Sequence, residues 1–112
     1  MNVVVTELSG VTKAMLSGRL DTANVNQVET SFTASIVPKA QHTVVDLTHV
    51  TFIASLGIRM LLSTARVLSR RGAKFALFGA SAPVMEIIET IALSDIIPVF
   101  HTEADAIAAV SA

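Results

Sequence analysis

Residues 44–62 read VVDLTHVTFIASLGIRMLL, and two different periodicities meet inside that stretch. Residues 43–47 form a short β-branched and apolar run closing on Asp46-Leu47, the pattern of a strand buried on both faces. After Ser55 the apolar residues Ile58, Leu61, Leu62, Ala65 and Leu68 recur every three or four positions, the period of an amphipathic helix. Gly72 is a natural C′ residue for that helix, and Arg70 and Arg71 suit its negative C-terminal end. The spacing predicts a strand, a short loop over 48–53 and then a helix opening at Ser55.

The same reading extends in both directions. Downstream, residues 75–78 are a second buried-type strand ended by Gly79. Ser81 and Pro83 mark a helix start, with Val84, Ile87, Ile88 and Ile91 as its apolar face. Residues 96–100 read as a last strand made irregular by Pro98, and residues 103–110 as a closing Ala-rich helix. Upstream, residues 3–6 and 13–16 are strands joined by a Ser9-Gly10 turn. Asp21 or Thr22 is the expected N-cap of a helix carrying Val25, Val28, Phe32 and Ile36, which Pro38 closes. The order β-β-α-β-α-β-α-β-α predicts an α/β domain. Its small mixed sheet of about five strands is mostly parallel, with the opening hairpin as an antiparallel edge and about four helices flanking it.

A length of 112 residues fits a single domain spanning the chain. With no cysteine, disulfides, thiolate catalysis and Cys-based metal centres are excluded. His42, His49 and His101 lack the spacing of a His-built metal site. A formal net charge of −1 gives no global attraction to nucleic acid or to an anionic membrane. Mean hydropathy is high at +0.65, but the most apolar stretch, FIASLGI, stops at Arg59, short of the roughly 18 apolar residues of a spanning helix. The first cation is Lys13, so no basic leader region is visible, and a cytoplasmic location is expected. Such an apolar, weakly charged chain is expected to leave an apolar face for a partner.

Ser55 is the first polar side chain of interest, because the mouth of a helix offers free N–H groups and a favourable dipole to an anion. Its ordinary role there is an N-cap. Ser55, Arg59, Ser63, Arg66 and Arg70 follow at steps of four, four, three and four and so share one helix face. Five of the eight cations fall within the sixteen residues 59–74. Such a stripe is either a solvated face or the basic rim of a docking surface for an acidic partner. Asp21 and Thr22 form a second polar point. Glu86 and Glu89 read as an exposed helix face, and Glu103 and Asp105 as first-turn charges. No phosphate-binding glycine loop, nucleophile elbow or catalytic triad is present, which argues against an enzyme.

The segment VVDLTHVTFIASLGIRMLL resembles a STAS domain of the anti-sigma factor antagonist family. So do SGRLDT at 17–22, RRGAKFALFG at 70–79 and SAPVMEIIET at 81–90. The resemblance runs from about the first strand to Val110. It implies a non-enzymatic binding module without a cofactor of its own. Its partner would be a kinase-type anti-sigma factor, supplying ATP and Mg²⁺; binding it would free a sigma factor, and it would in turn phosphorylate the antagonist. A phosphatase would reverse the modification. By the motif, Ser55 is the phosphorylated residue, and Asp46 matches the polar residue closing the central strand. Asp21, Thr22, Ser55, Gly57, Arg59, Ser63 and Arg66 form the expected partner surface. The family usually carries an aspartate directly before the phosphorylated residue and often Ser-Gly after it, whereas this chain has Ala54 and Leu56-Gly57. A switchable module would be monomeric alone. The alternative is a non-switching STAS subunit or scaffold of a larger lipid-transport or signalling assembly, in which Ser55 is only a cap.

Overall fold

The structure is a computed structural model that describes residues 2–111. Strands β1 (Asn2–Leu8) and β2 (Val11–Leu20) form a hairpin, followed by helix α1 (Val25–Ile36) and strand β3 (Thr43–Ile53). Helix α2 (Ser55–Arg70), strand β4 (Phe75–Phe78), helix α3 (Ala82–Thr90), strand β5 (Val99–Phe100) and helix α4 (Glu103–Ser111) complete the chain. The five strands lie in the order β1-β2-β3-β4-β5, with β1 antiparallel to β2 and every other pair parallel. The predicted mixed, mostly parallel α/β sheet is therefore the observed one. In the hairpin turn Ser9 and Gly10 both have positive φ, 52° and 82°, matching the twist of the strands they join.

The sheet is covered unequally. Helices α1, α2 and α3 pack on one face, where Val28, Phe32, Ile36, Leu61, Leu68, Val84 and Ile88 meet Leu16, Leu20, Val45, Leu47 and Leu77. Helix α4 alone covers part of the other face, laying Ala106 and Val110 on Val11, Val44, Ala76 and Phe78. Lys13 reaches across that second face to an ion pair with Glu103. No helix among the described residues is long and apolar enough to cross a membrane.

Three local expectations change. Residues 48–53 are not a loop; β3 runs on through them to Ile53, so Asp46 stands within the strand instead of ending it. Met15 and Ser17 of β2 pair with Asp46 and His49, and Gly18 and Arg19 pair with Val50 and Phe52. Thus β3 accommodates two extra residues as bulges, and its buried core residues Val45, Leu47, Val50 and Ile53 are spaced two, three and three apart. Asp46 holds the first bulge, its Oδ1 accepting the backbone N–H of Thr48 at 2.9 Å and the Thr48 hydroxyl. The last strand shrinks from 96–100 to Val99–Phe100, because Ile96 and Ile97 both donate to the carbonyl of Leu93 and close a 3₁₀ turn. The N-cap of α1 is Asn24, since the Asp21 carboxylate is already taken by the turn before the helix.

Candidate functional site

The parallel strands β2 and β3 finish side by side, with Leu20 opposite Ile53 and the Ala54 N–H donating to the Leu20 carbonyl at 2.8 Å. That pairing brings two sequence-distant points together, the Asp21 turn and the start of α2. The turn is closed by its own side chains. Asp21 Oδ1 accepts from the N–H groups of Ala23 and Asn24 at 3.1 and 3.2 Å. Asn24 Oδ1 accepts from the Asp21 N–H, and Asn24 Nδ2 donates to the Arg19 carbonyl. Arg19 lies over the Phe52 ring at 4.6 Å from its centroid, with its Nε 3.9 Å from Asp21 Oδ2, tying the turn to the end of β3.

At the start of α2 the N-cap is Ala54, in extended conformation, and its carbonyl accepts the Ile58 N–H. Ser55 is thus the first helical residue, exposed, and its hydroxyl has no hydrogen-bond partner among the described residues. The expected capping role is corrected: Ser55 sits one position too late to fold back on the N–H groups of the first turn. Those N–H groups have no partner within a helix, so the hydroxyl projects beside the positive end of the dipole.

Gly57 explains how α2 approaches so closely. A Cβ there would lie 2.6 Å from Leu20 Cδ2 and 3.0 Å from Ile53 Cγ1, so only glycine lets the first turn rest on the ends of β2 and β3. Gly57 is buried, and it shapes the surface expected around it instead of lining it.

Thr22, Phe52, Ser55, Leu56, Ile87 and Ile91 line an open cleft of about 480 Å³ between the start of α2 and α3. Its walls are largely apolar, and Leu56 and Ile91 are 41% and 48% exposed. A second cleft of about 290 Å³, between α2 and α1, is lined by Leu56, Arg59, Ser63, Val25, Asn26 and Glu29. Leu56 belongs to both. Thr22 and Ser55 thus line the first cleft and Arg59 and Ser63 the second, with Asp21 in the turn beside Thr22. Arg66 is exposed on the same helix but lies eleven residues from Ser55, about 16 Å along the axis. Arg71, one of the five clustered cations, donates to the Val37 carbonyl at 2.9 Å. Asp46 is buried within β3 and takes no part. The sequence reading misses Asn24, Phe52, Leu56 and Ile91; the available signal is Leu56, an apolar residue on the polar side of α2. Among the described residues no group of three or more His, Asp or Glu is placed to hold a metal ion.

Comparison with known proteins agrees with this architecture. The STAS domain family model matches residues 2–106. BtrV of Bordetella bronchiseptica, named as a candidate anti-sigma factor antagonist, is 28% identical over 109 residues, covering 97% of this chain and 94% of that protein. The anti-sigma F factor antagonist of Paenibacillus polymyxa is 25% identical over 99 residues, 88% of this chain and 85% of its own. A crystal structure of an anti-sigma factor antagonist from Mycobacterium paratuberculosis superposes with a TM-score of 0.89 at 26% identity, over 99% of this chain and 94% of that one. With the sheet order, the Asp21 turn and the entry into α2 in place, the chain belongs to the STAS domain family.

Proposed function

We propose that this chain is an anti-sigma factor antagonist, a non-enzymatic protein-binding module that engages a kinase-type anti-sigma factor and is switched by phosphorylation of Ser55. The observation carrying this reading is the state of Ser55: exposed, free of a capping bond and placed at a helix N-terminus beside an open apolar cleft. The two curated relatives, whose names state or suggest anti-sigma factor antagonism, align over most of the chain and support the binding role. The module acts as a cytoplasmic monomer that needs no cofactor of its own and binds no nucleic acid. In the kinase complex the Ser55 oxygen bonds to the γ-phosphorus of ATP as the β–γ anhydride bond breaks. ADP leaves, and the hydroxyl proton passes to a base of the kinase or to water. A phosphatase reverses this by hydrolysis, water attacking phosphorus as the Ser55 O–P bond breaks, which restores the hydroxyl and releases inorganic phosphate.

Phosphate adds about −1.5 to −2 charges and three acceptor oxygens at neutral pH. Within the domain, the free N–H groups of α2 accommodate it. Across an interface shaped for a hydroxyl, the same group must be desolvated, and binding is lost. Incubating the domain with the kinase-type anti-sigma factor of its organism, Mg²⁺ and ATP, then reading the intact mass, tests the switch. One phosphate on the wild type and none on Ser55→Ala is the expected result. An unchanged mass for both, with binding retained, points to the non-switching STAS subunit.

A further inference from the structure

Arg59 follows Ser55 by one helical turn, where Cβ atoms stand about 5–6 Å apart. Both side chains are exposed. Helix α2 contains no Asp or Glu, and neither the Lys13–Glu103 nor the Arg19–Asp21 ion pair involves Arg59. Glu29 of α1 lines the same cleft as Arg59 but forms no ion pair with it. Leu56 joins that cleft to the apolar one beside Ser55, so Arg59 and the apolar walls present one continuous surface. The other nearby cation, Arg19, is occupied by the Phe52 ring and Asp21. A guanidinium on such a surface, with no ion-pair partner among the described residues, is complementary to a carboxylate brought by the other side.

We propose that Arg59 is a counter-ion shared between two exclusive anions: a carboxylate of an acidic partner surface when Ser55 is unmodified, and the phosphate of Ser55 once it is modified. The inference rests on the reading of Ser55 given above and adds the chemistry of the partner. The occupant is a protein surface that places an apolar side chain between Leu56 and Ile91 and an acidic residue over Arg59. Modification then acts twice. It adds charge that repels the acidic surface, and it draws the guanidinium back along its own helix face, removing the cation that surface requires.

A double-mutant cycle tests it, using the kinase-type anti-sigma factor of the same organism as the binding probe and four chains: wild type, Arg59→Gln, Ser55→Asp and the double variant. Arg59→Gln is expected to weaken binding about tenfold and to flatten its salt dependence, with Arg59→Lys restoring most of both. Ser55→Asp is expected to cost several-fold less in the Arg59→Gln background than in the wild type, because the cation it neutralises is already gone. Equal cost in both backgrounds, with wild-type binding intact, overturns the shared counter-ion. Preferential loss by Arg59→Gln of binding to phosphatidylserine vesicles also overturns it, assigning Arg59 to a lipid surface. No binding by the wild-type chain contradicts the functional reading itself and this inference with it.

Discussion

At position 55 a hydroxyl stands where the helix has no use for it. Capping preference alone assigns Ser55 to the N-cap, since Ser ranks near the top there and Ala near the bottom. The backbone gives that position to Ala54, which caps nothing with its side chain, and leaves Ser55 exposed. A helix mouth near residue 55 was legible in the sequence, but the one-residue offset was not, because Ala54 carries no polar signal. The offset has a measurable consequence. Replacing a capping Ser by Ala costs about 1 kcal/mol, whereas Ser55→Ala is expected to change stability by less than about 0.5 kcal/mol in urea unfolding. A loss near 1 kcal/mol would return Ser55 to a structural role. Gly57 gives the opposite case. The gain in helix propensity from Gly57→Ala is about 1 kcal/mol, set against overpacking of Leu20 and Ile53 that costs about 1–3 kcal/mol. Net destabilisation of about 1 kcal/mol and weaker partner binding are expected. A more stable variant would show that the first turn can move off the sheet freely.

Among the elements, the amphipathic helices are legible directly in apolar spacing, and Val25, Val28, Phe32 and Ile36 are the buried residues of α1. Strand β3 was only half legible. Its core-facing residues fall at intervals of two, three and three, so no two-residue alternation survives beyond Leu47, and the second half resembles a loop. Pairing with ten-residue β2 keeps it extended, a long-range cause that local pattern does not contain. Asp46 belongs to this element and not to the proposed binding surface. Asp46→Ala would strand the Thr48 N–H at the first bulge and is expected to cost about 1.5–3 kcal/mol, the range for hydrogen bonds to a charged group. Urea unfolding checks the stability, while partner affinity at temperatures well below the transition stays close to wild type. Lost affinity in a folded variant would place Asp46 in the site.

For the whole molecule, a net charge of −1 conceals strong segregation. Residues 55–74 carry five cations and no acid, and residues 75–112 carry five acids and no Lys or Arg. The basic segment begins at Ser55, so the proposed switch adds negative charge at the edge of the positive region. Arg66, exposed and about 16 Å from Ser55, belongs to that field and not to the cleft. Arg66→Glu is expected to slow association with the partner several-fold, with the effect fading as salt rises and dissociation little changed. A change confined to dissociation would instead put Arg66 in direct contact. Unmodified and phosphorylated, the chain is proposed to keep one fold and to change only what it binds. The most direct measurement takes the same preparation before and after complete phosphorylation of Ser55, recording its dissociation constant for the kinase-type anti-sigma factor and its melting temperature. A phosphate at a helix N-terminus is worth about 0.3–1 kcal/mol, so the melting temperature should move by no more than about 5 °C. Desolvating it at the interface costs about 3 kcal/mol or more, so affinity should fall at least about a hundredfold. Affinity unchanged by phosphorylation, or lost only because the domain has unfolded, would contradict the account.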